Sequence, residues 1–140
     1  MYGINTAVKS EDLRFGLNKV TITDLEWRAP EGDYGASINI VLSAGYDSIR
    51  EVTRAFDKKN GGAEVTDVNH PVFKQTVAYL NQKVTQLMLC FVSKEELQEV
   101  FSEPIRSFEQ YARIVISTIK NSDAFKAQEE VYVMARYKWN

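Results

Sequence analysis

Two runs of the sequence interleave aromatic with basic side chains: Tyr46, Arg50, Arg54, Phe56, Lys58 and Lys59, then Tyr132, Arg136, Tyr137, Lys138 and Trp139. Flat rings carried on a sheet stack against nucleobases, at about 1–3 kcal/mol per base, and cations beside them neutralise phosphates. Single strands suit such a surface because their bases are unstacked and within reach. The competing use of the same residues is packing, with Phe56, Tyr137 and Trp139 in a core and the cations as ordinary solubilising surface. Strand alternation separates the two uses in the second run. Tyr132, Arg136 and Lys138 share the more polar face, which makes Tyr132 a better stacker than Tyr137. By the same alternation Arg50 and Arg54 share a face.

Residues for bond-making chemistry are few. The chain has one His and one Cys, and it carries no Gly-x-Ser-x-Gly, no phosphate-binding Gly-rich loop and no metal-ligand spacing. His70 stands beside a helix start, where capping is its expected use. Cys90 lies in the apolar run Leu87 to Phe91, which disfavours a thiolate, so it is expected to be buried and inert. Glu95, Glu96 and Glu99 fall in the first turns of a helix, where negative charge complements the dipole. Asp57, Glu64 and Asp67 bracket Gly61 and Gly62 without the alternating spacing of a calcium loop. The expectation is a protein that is not an enzyme, with no cofactor and no metal.

The 140 residues, net charge −2 and 44% apolar content suit one domain over residues 1–140. Such a chain buries roughly two-thirds of its unfolded surface, so it needs no staples. A lone Cys excludes an internal disulfide and fits a reducing compartment. There is neither a signal pattern nor an apolar run near the ~20 residues a bilayer demands, and the expected place is the cytoplasm, with no membrane partner. Before His70 there are 8 basic and 11 acidic residues, and after it 9 and 8. The halves, at −3 and +1, are too alike to mark two domains, and neither has the bulk charge of a strongly basic nucleic-acid binder.

The elements that must position these residues follow from hydrophobic period. Strands are expected over about 19–56. In the first, Val20 and Ile22 alternate while Leu25 and Trp27 fall out of phase, which a bulge near Thr23 and Asp24 repairs. In the second, Ile38, Ile40 and Leu42 share a core face opposite the at least partly wet Ser37, Asn39, Val41 and Ser43. Arg28 to Gly35 reads as a hairpin loop. Tyr46 to Phe56 fits a helix or a strand, and the turn at Ala44 and Gly45 favours a strand. Asp57 to Thr66 reads as a mobile loop.

A helical stretch covers about 69–120. Phe73, Val77, Leu80, Val84, Leu87 and Phe91 keep one stripe on one face, with Asn69 or His70 as cap and Pro71 in the first turn. Ser93 to Glu96 and Ser107 to Gln110 open two further helices by capping boxes. A closing strand is expected over about 130–139. A chain end one residue after Trp139 suggests a shortened chain or a missing final strand.

This order is that of a small, bent antiparallel sheet or five-stranded OB-like barrel with a three-helix insertion before the last strand, an α+β fold. In Lys19 to Trp27, Arg54 to Asp57, the helix opening at Ser107, and Val131 to Tyr137, the chain resembles the OB-fold single-stranded DNA-binding proteins of bacteriophages. The resemblance implies coating of single-stranded DNA during replication or recombination, without turnover, with replication proteins as further partners and the host cytoplasm as the place of action. It also implies one more strand, for which Tyr2 to Val8 is the candidate. Phosphate contacts are expected from Arg50, Arg54, Lys58, Lys59, Arg136 and Lys138, and stacking from Tyr34, Tyr46 and Tyr132, with Trp27 and Trp139 as secondary stackers. The alternative is a non-enzymatic structural or assembly protein that forms a homo-oligomer through its helical face.

Overall fold

The computed structural model of the protein describes residues 1–5, 18–43 and 45–133. Its main sheet is antiparallel and contains β1 (Asn18–Arg28), β2 (Ser37–Leu42), β3 (Gly45–Arg50) and β6 (Glu130–Val133) in the order β3-β2-β1-β6. A separate hairpin is made of β4 (Ala55–Asp57) and β5 (Ala63–Val65). Four helices lie between β5 and β6: α1 (Pro71–Met88), α2 (Lys94–Val100), α3 (Phe108–Lys120) and the single turn α4 (Asp123–Lys126). The fold is α+β, a curled half-barrel sheet with helices. No helix among the described residues is long and apolar enough to cross a membrane.

β1 makes the curl. Residues Asn18 to Thr21 pair with β6, and Ile22 to Arg28 pair with β2. Between Ile22 and Asp24 the register shifts by one residue. That bulge lets Val20 and Ile22 on one side of it, and Leu25 on the other, all reach the core despite their broken alternation. Ile38, Ile40 and Leu42 of β2 and Ile49 of β3 line the same concave face, which α3 covers with Tyr111, Ala112, Val115 and Ile119. The α1 stripe is also interior: Phe73, Val77, Val84 and Leu87 are buried, and Leu80 and Phe91 half-buried. The wet side of β2 is only partly wet. Ser37 and Asn39 are 6% and 9% exposed, and Glu26 of β1 reaches over to accept from Asn39 Nδ2 at 3.4 Å.

Side-chain caps start the helices where the sequence puts them. His70 Nδ1 accepts from the Val72 amide at 3.1 Å, and Pro71 follows it. Ser93 and Ser107 hydroxyls accept from the amides of Glu96 and Gln110, each at 3.1 Å. Cys90 is half-buried, not buried, because α1 ends at Met88 and leaves it in the turn beyond.

Two expectations are corrected. The strand read across Tyr46 to Phe56 is two strands in two sheets. The Glu51 amide still bonds Ala36, but the next amide, that of Val52, donates to the Tyr2 hydroxyl at 3.1 Å, and the chain leaves the sheet. The segment after Asp57 is not a loop throughout. Asp57 Oδ1 caps a 3-10 turn at Lys58–Asn60, Gly61 and Gly62 take φ of 71° and 78°, and β5 returns the chain. Of the candidate strand Tyr2 to Val8, residues 2–5 form no strand and residues 6–8 lie outside the described residues. The Gly3 and Asn5 amides donate to Asn81 and Thr85 of α1, which holds residues 3–5 along the helix. The closing strand is described as far as Val133, and its expected remainder lies outside the described residues.

Candidate nucleic-acid interface

In an antiparallel sheet, residues directly opposite each other share a face. Opposite the core, the pairing therefore sets out three rows across β3, β2 and β1: Arg50, Ser37 and Arg28; Ser48, Asn39 and Glu26; Tyr46, Val41 and Asp24. Tyr46, 54% exposed, and Arg50 stand on this convex face four residues apart, about 13 Å along the strand. The turn before β2 brings a second ring to Arg50. Glu31 and Tyr34 exchange backbone hydrogen bonds of 3.1 and 3.0 Å around Gly32, whose φ of 57° a side chain would resist. That turn leaves the Tyr34 ring 66% exposed, with the Arg50 guanidinium carbon 5.5 Å from its centroid.

A second group forms on the β4–β5 hairpin. Ala55 and Asp57 face inward, so alternation turns Phe56 outward, 54% exposed. The Arg54 guanidinium carbon lies 5.8 Å from the Phe56 centroid, and its Nη1 is 3.9 Å from Glu64, a loose and solvated ion pair. Lys58 and Lys59 extend from the 3-10 turn, which Asp57 holds by accepting from the Lys59 amide at 3.2 Å and from Asn60 Nδ2 at 2.7 Å. Both lysines are exposed, and neither forms an ion pair among the described residues.

The two groups belong to different sheets, so Arg50 and Arg54 do not share a strand face as alternation suggested. Four residues of chain hold their Cα atoms within about 14 Å of each other. Tyr132 has its backbone in β6, opposite Lys19. Arg136 and Lys138, with Tyr137 and Trp139, lie outside the described residues. Trp27 is half-buried: it pairs with Ile38 on the core face, its ring 6.2 Å from Phe108 and with the Arg113 guanidinium carbon 5.9 Å from its centroid. Two residues were missed as site residues. Phe56 turns outward through the β4–β5 hairpin and Arg28 joins Arg50 through the strand register, and neither is a signal that residue types carry.

Charges on the convex face are mixed. Lys19 meets Glu130 at 3.8 Å and Arg28 meets Glu26 at 3.9 Å, all four side chains well solvated. At the bulge Lys120 lies 2.6 Å from Asp24. Its hydrogen bond holds the Asp24 carboxyl below the usual range against a small cost of burial, with the Leu25 amide and the Lys120 charge adding to the effect. Such a face exerts little long-range pull on a polyanion. It can offer exposed ring faces with a few cations close by. Among the described residues no group of three His, Cys, Asp or Glu side chains is placed to hold a metal ion. Compared with known proteins, the chain matches no family model, no curated sequence and no solved structure, so the geometry alone carries the functional reading.

Proposed function

We propose that the protein binds single-stranded DNA with little regard to sequence and without turnover, along the convex face of β3 and the β4–β5 hairpin. In this reading the curled sheet is the greater part of an OB-like barrel, the helices between β5 and β6 are an insertion in it, and the DNA is that of a replicating or recombining phage in its host's cytoplasm. The observation that supports it is the exposure of three rings, Tyr34, Tyr46 and Phe56, two of them beneath a guanidinium, beside Lys58 and Lys59. Stacking is indifferent to base identity because every base has a flat face. Self-association through a helical face has less in its favour, since the α1 and α3 stripes are spent on the core.

The test is titration of a fluorescein-labelled oligothymidine, read by anisotropy. We expect binding at tens of micromolar protein or below in low salt. Two to four engaged cations on a single strand give a log–log salt slope of about −1.4 to −2.8. Tyr34→Ala and Tyr46→Ala should each weaken binding by about 5-fold to 100-fold. If the unaltered protein leaves the anisotropy unchanged in low salt, the reading is lost.

A further inference from the structure

Resting on that reading, the geometry points to a division of labour: Arg50 and Arg54 position the Tyr34 and Phe56 rings for stacking, while the phosphates are met by Lys58 and Lys59. Each guanidinium lies over one face of its ring, at 5.5 and 5.8 Å from the centroid. A cation in that place is attracted by the ring's negative face and, being planar in Arg, covers it as a plate. One side of the ring is thereby occupied, and the other is the side a base can use. The contact also limits the rotation of a ring that is more than half exposed, so less freedom remains to be lost when a base lands on it.

The same contacts take the arginines away from phosphate work. Arg54 divides its charge between Phe56 and Glu64, and Arg50 is directed at Tyr34. Among the described residues Lys58 and Lys59 have no such ties, and they stand on a turn whose backbone Asp57 fixes. A compact ammonium on a flexible stem suits a phosphate that can arrive from several directions.

The test is the oligothymidine titration repeated over a salt series with substitutions that separate the two roles. A positioning arginine works through its ring, so Arg50→Ala should weaken binding about 3-fold to 10-fold in the parent and by nothing further in the Tyr34→Ala background. Its salt slope should stay at the parental value. Arg50→Lys keeps the charge and loses the plate, and should bind no better than Arg50→Ala. Arg54 should behave in the same way with Phe56. The double variant Lys58→Ala, Lys59→Ala should flatten the slope by about 1.4, two phosphates' worth. All these side chains are on the surface, and matched thermal midpoints will show that the variants fold. Should Arg50→Lys bind like the parent, with Arg50→Ala flattening the slope by about 0.7 and adding to Tyr34→Ala, the arginines are phosphate contacts and this inference alone falls. Absence of binding by the unaltered protein removes the function and the division of labour together.

Discussion

Tyr111 and Tyr2 show what single hydroxyls do for this interior. The Tyr111 ring is fully buried against Tyr2, Phe101 and Phe108, and its hydroxyl donates to the Gly3 carbonyl at 2.7 Å. Burial raises the pKa of Tyr111 far above that of a free phenol, and Tyr2 adds to the rise. Tyr2 is raised too, chiefly by burial, with the Val52 amide working against the shift and Glu51 for it. Unfolded tyrosines ionise near pH 10. Above that pH the unfolded chain holds fewer protons than the native one, so stability must fall as pH rises from about 10 through the native values, and is whole below it. Tyr111→Phe should cost about 1 kcal/mol at pH 7, because the Gly3 carbonyl loses its donor, and should make the alkaline fall shallower. Urea denaturation at pH 7 and above pH 10 measures both, and a variant with the parent's alkaline slope would contradict the assignment. Nothing in the sequence joins Tyr2 to Tyr111. His70, Ser93 and Ser107 were legible because a cap acts on its own next turn, whereas these rings meet across most of the chain.

At the scale of elements, β3 has β2 on one side and, among the described residues, no strand on the other. The Glu51 amide bonds β2 through Ala36, so by alternation the backbone groups of Tyr46, Ser48 and Arg50 face away from β2. Ser48, midway along, is occupied twice: its amide donates to Asp47 Oδ1 at 2.8 Å, and its carbonyl accepts from Lys83 Nζ at 3.3 Å. Lys83 and Asp47 themselves meet at 3.1 Å, with the aspartate side chain only 4% exposed. An inward charge on an edge strand discourages another strand from adding there. Lys83→Ala strands a buried carboxylate and should destabilise by about 3 kcal/mol. Replacing the pair as Asp47→Val with Lys83→Met should recover most of that loss, yet bare the Ser48 edge and raise self-association with concentration. Chemical denaturation and sedimentation velocity read the two effects. Parental stability in the single variant, or a double variant that stays monomeric, would dispose of the edge's defence. The helices were legible because their stripes repeat over many turns. Tyr46 to Phe56 was not, because its alternation runs unbroken through Val52, and the break is imposed from outside by the Tyr2 hydroxyl.

Over the whole molecule, β1 is the strand that pairs with both β2 and β6, so its bulge fixes how the two parts of the sheet meet. The sequence carried that much, since the phase slip between Ile22 and Leu25 is visible as a pattern. It carried the candidate interface only in part. Tyr34 and Tyr46 proved exposed, but which face Trp27 and Phe56 occupy depends on register and on the division into two sheets, and neither can be read from residue types. The bulge makes a sharp contrast between changing a side chain and changing a count. Thr23 is exposed, and its hydroxyl donates to the Val41 carbonyl at 3.2 Å, so Thr23→Ala should cost about 1 kcal/mol or less. Deleting Thr23 closes the bulge. Ile22 stays opposite Leu42 and Asp24 opposite Val41, so Val20, Ile22, Leu25 and Trp27 all fall on the core face by simple alternation. What the deletion removes is the extra bend and twist between the part of β1 paired with β6 and the part paired with β2. The core side chains are kept, and the loss falls on the fit of a straightened β1 against α3, at about 1–3 kcal/mol more than Thr23→Ala. Far-UV circular dichroism with urea titration decides the matter: a deletion variant as stable as Thr23→Ala would mean that the bend at the bulge is not needed to pack the sheet on α3.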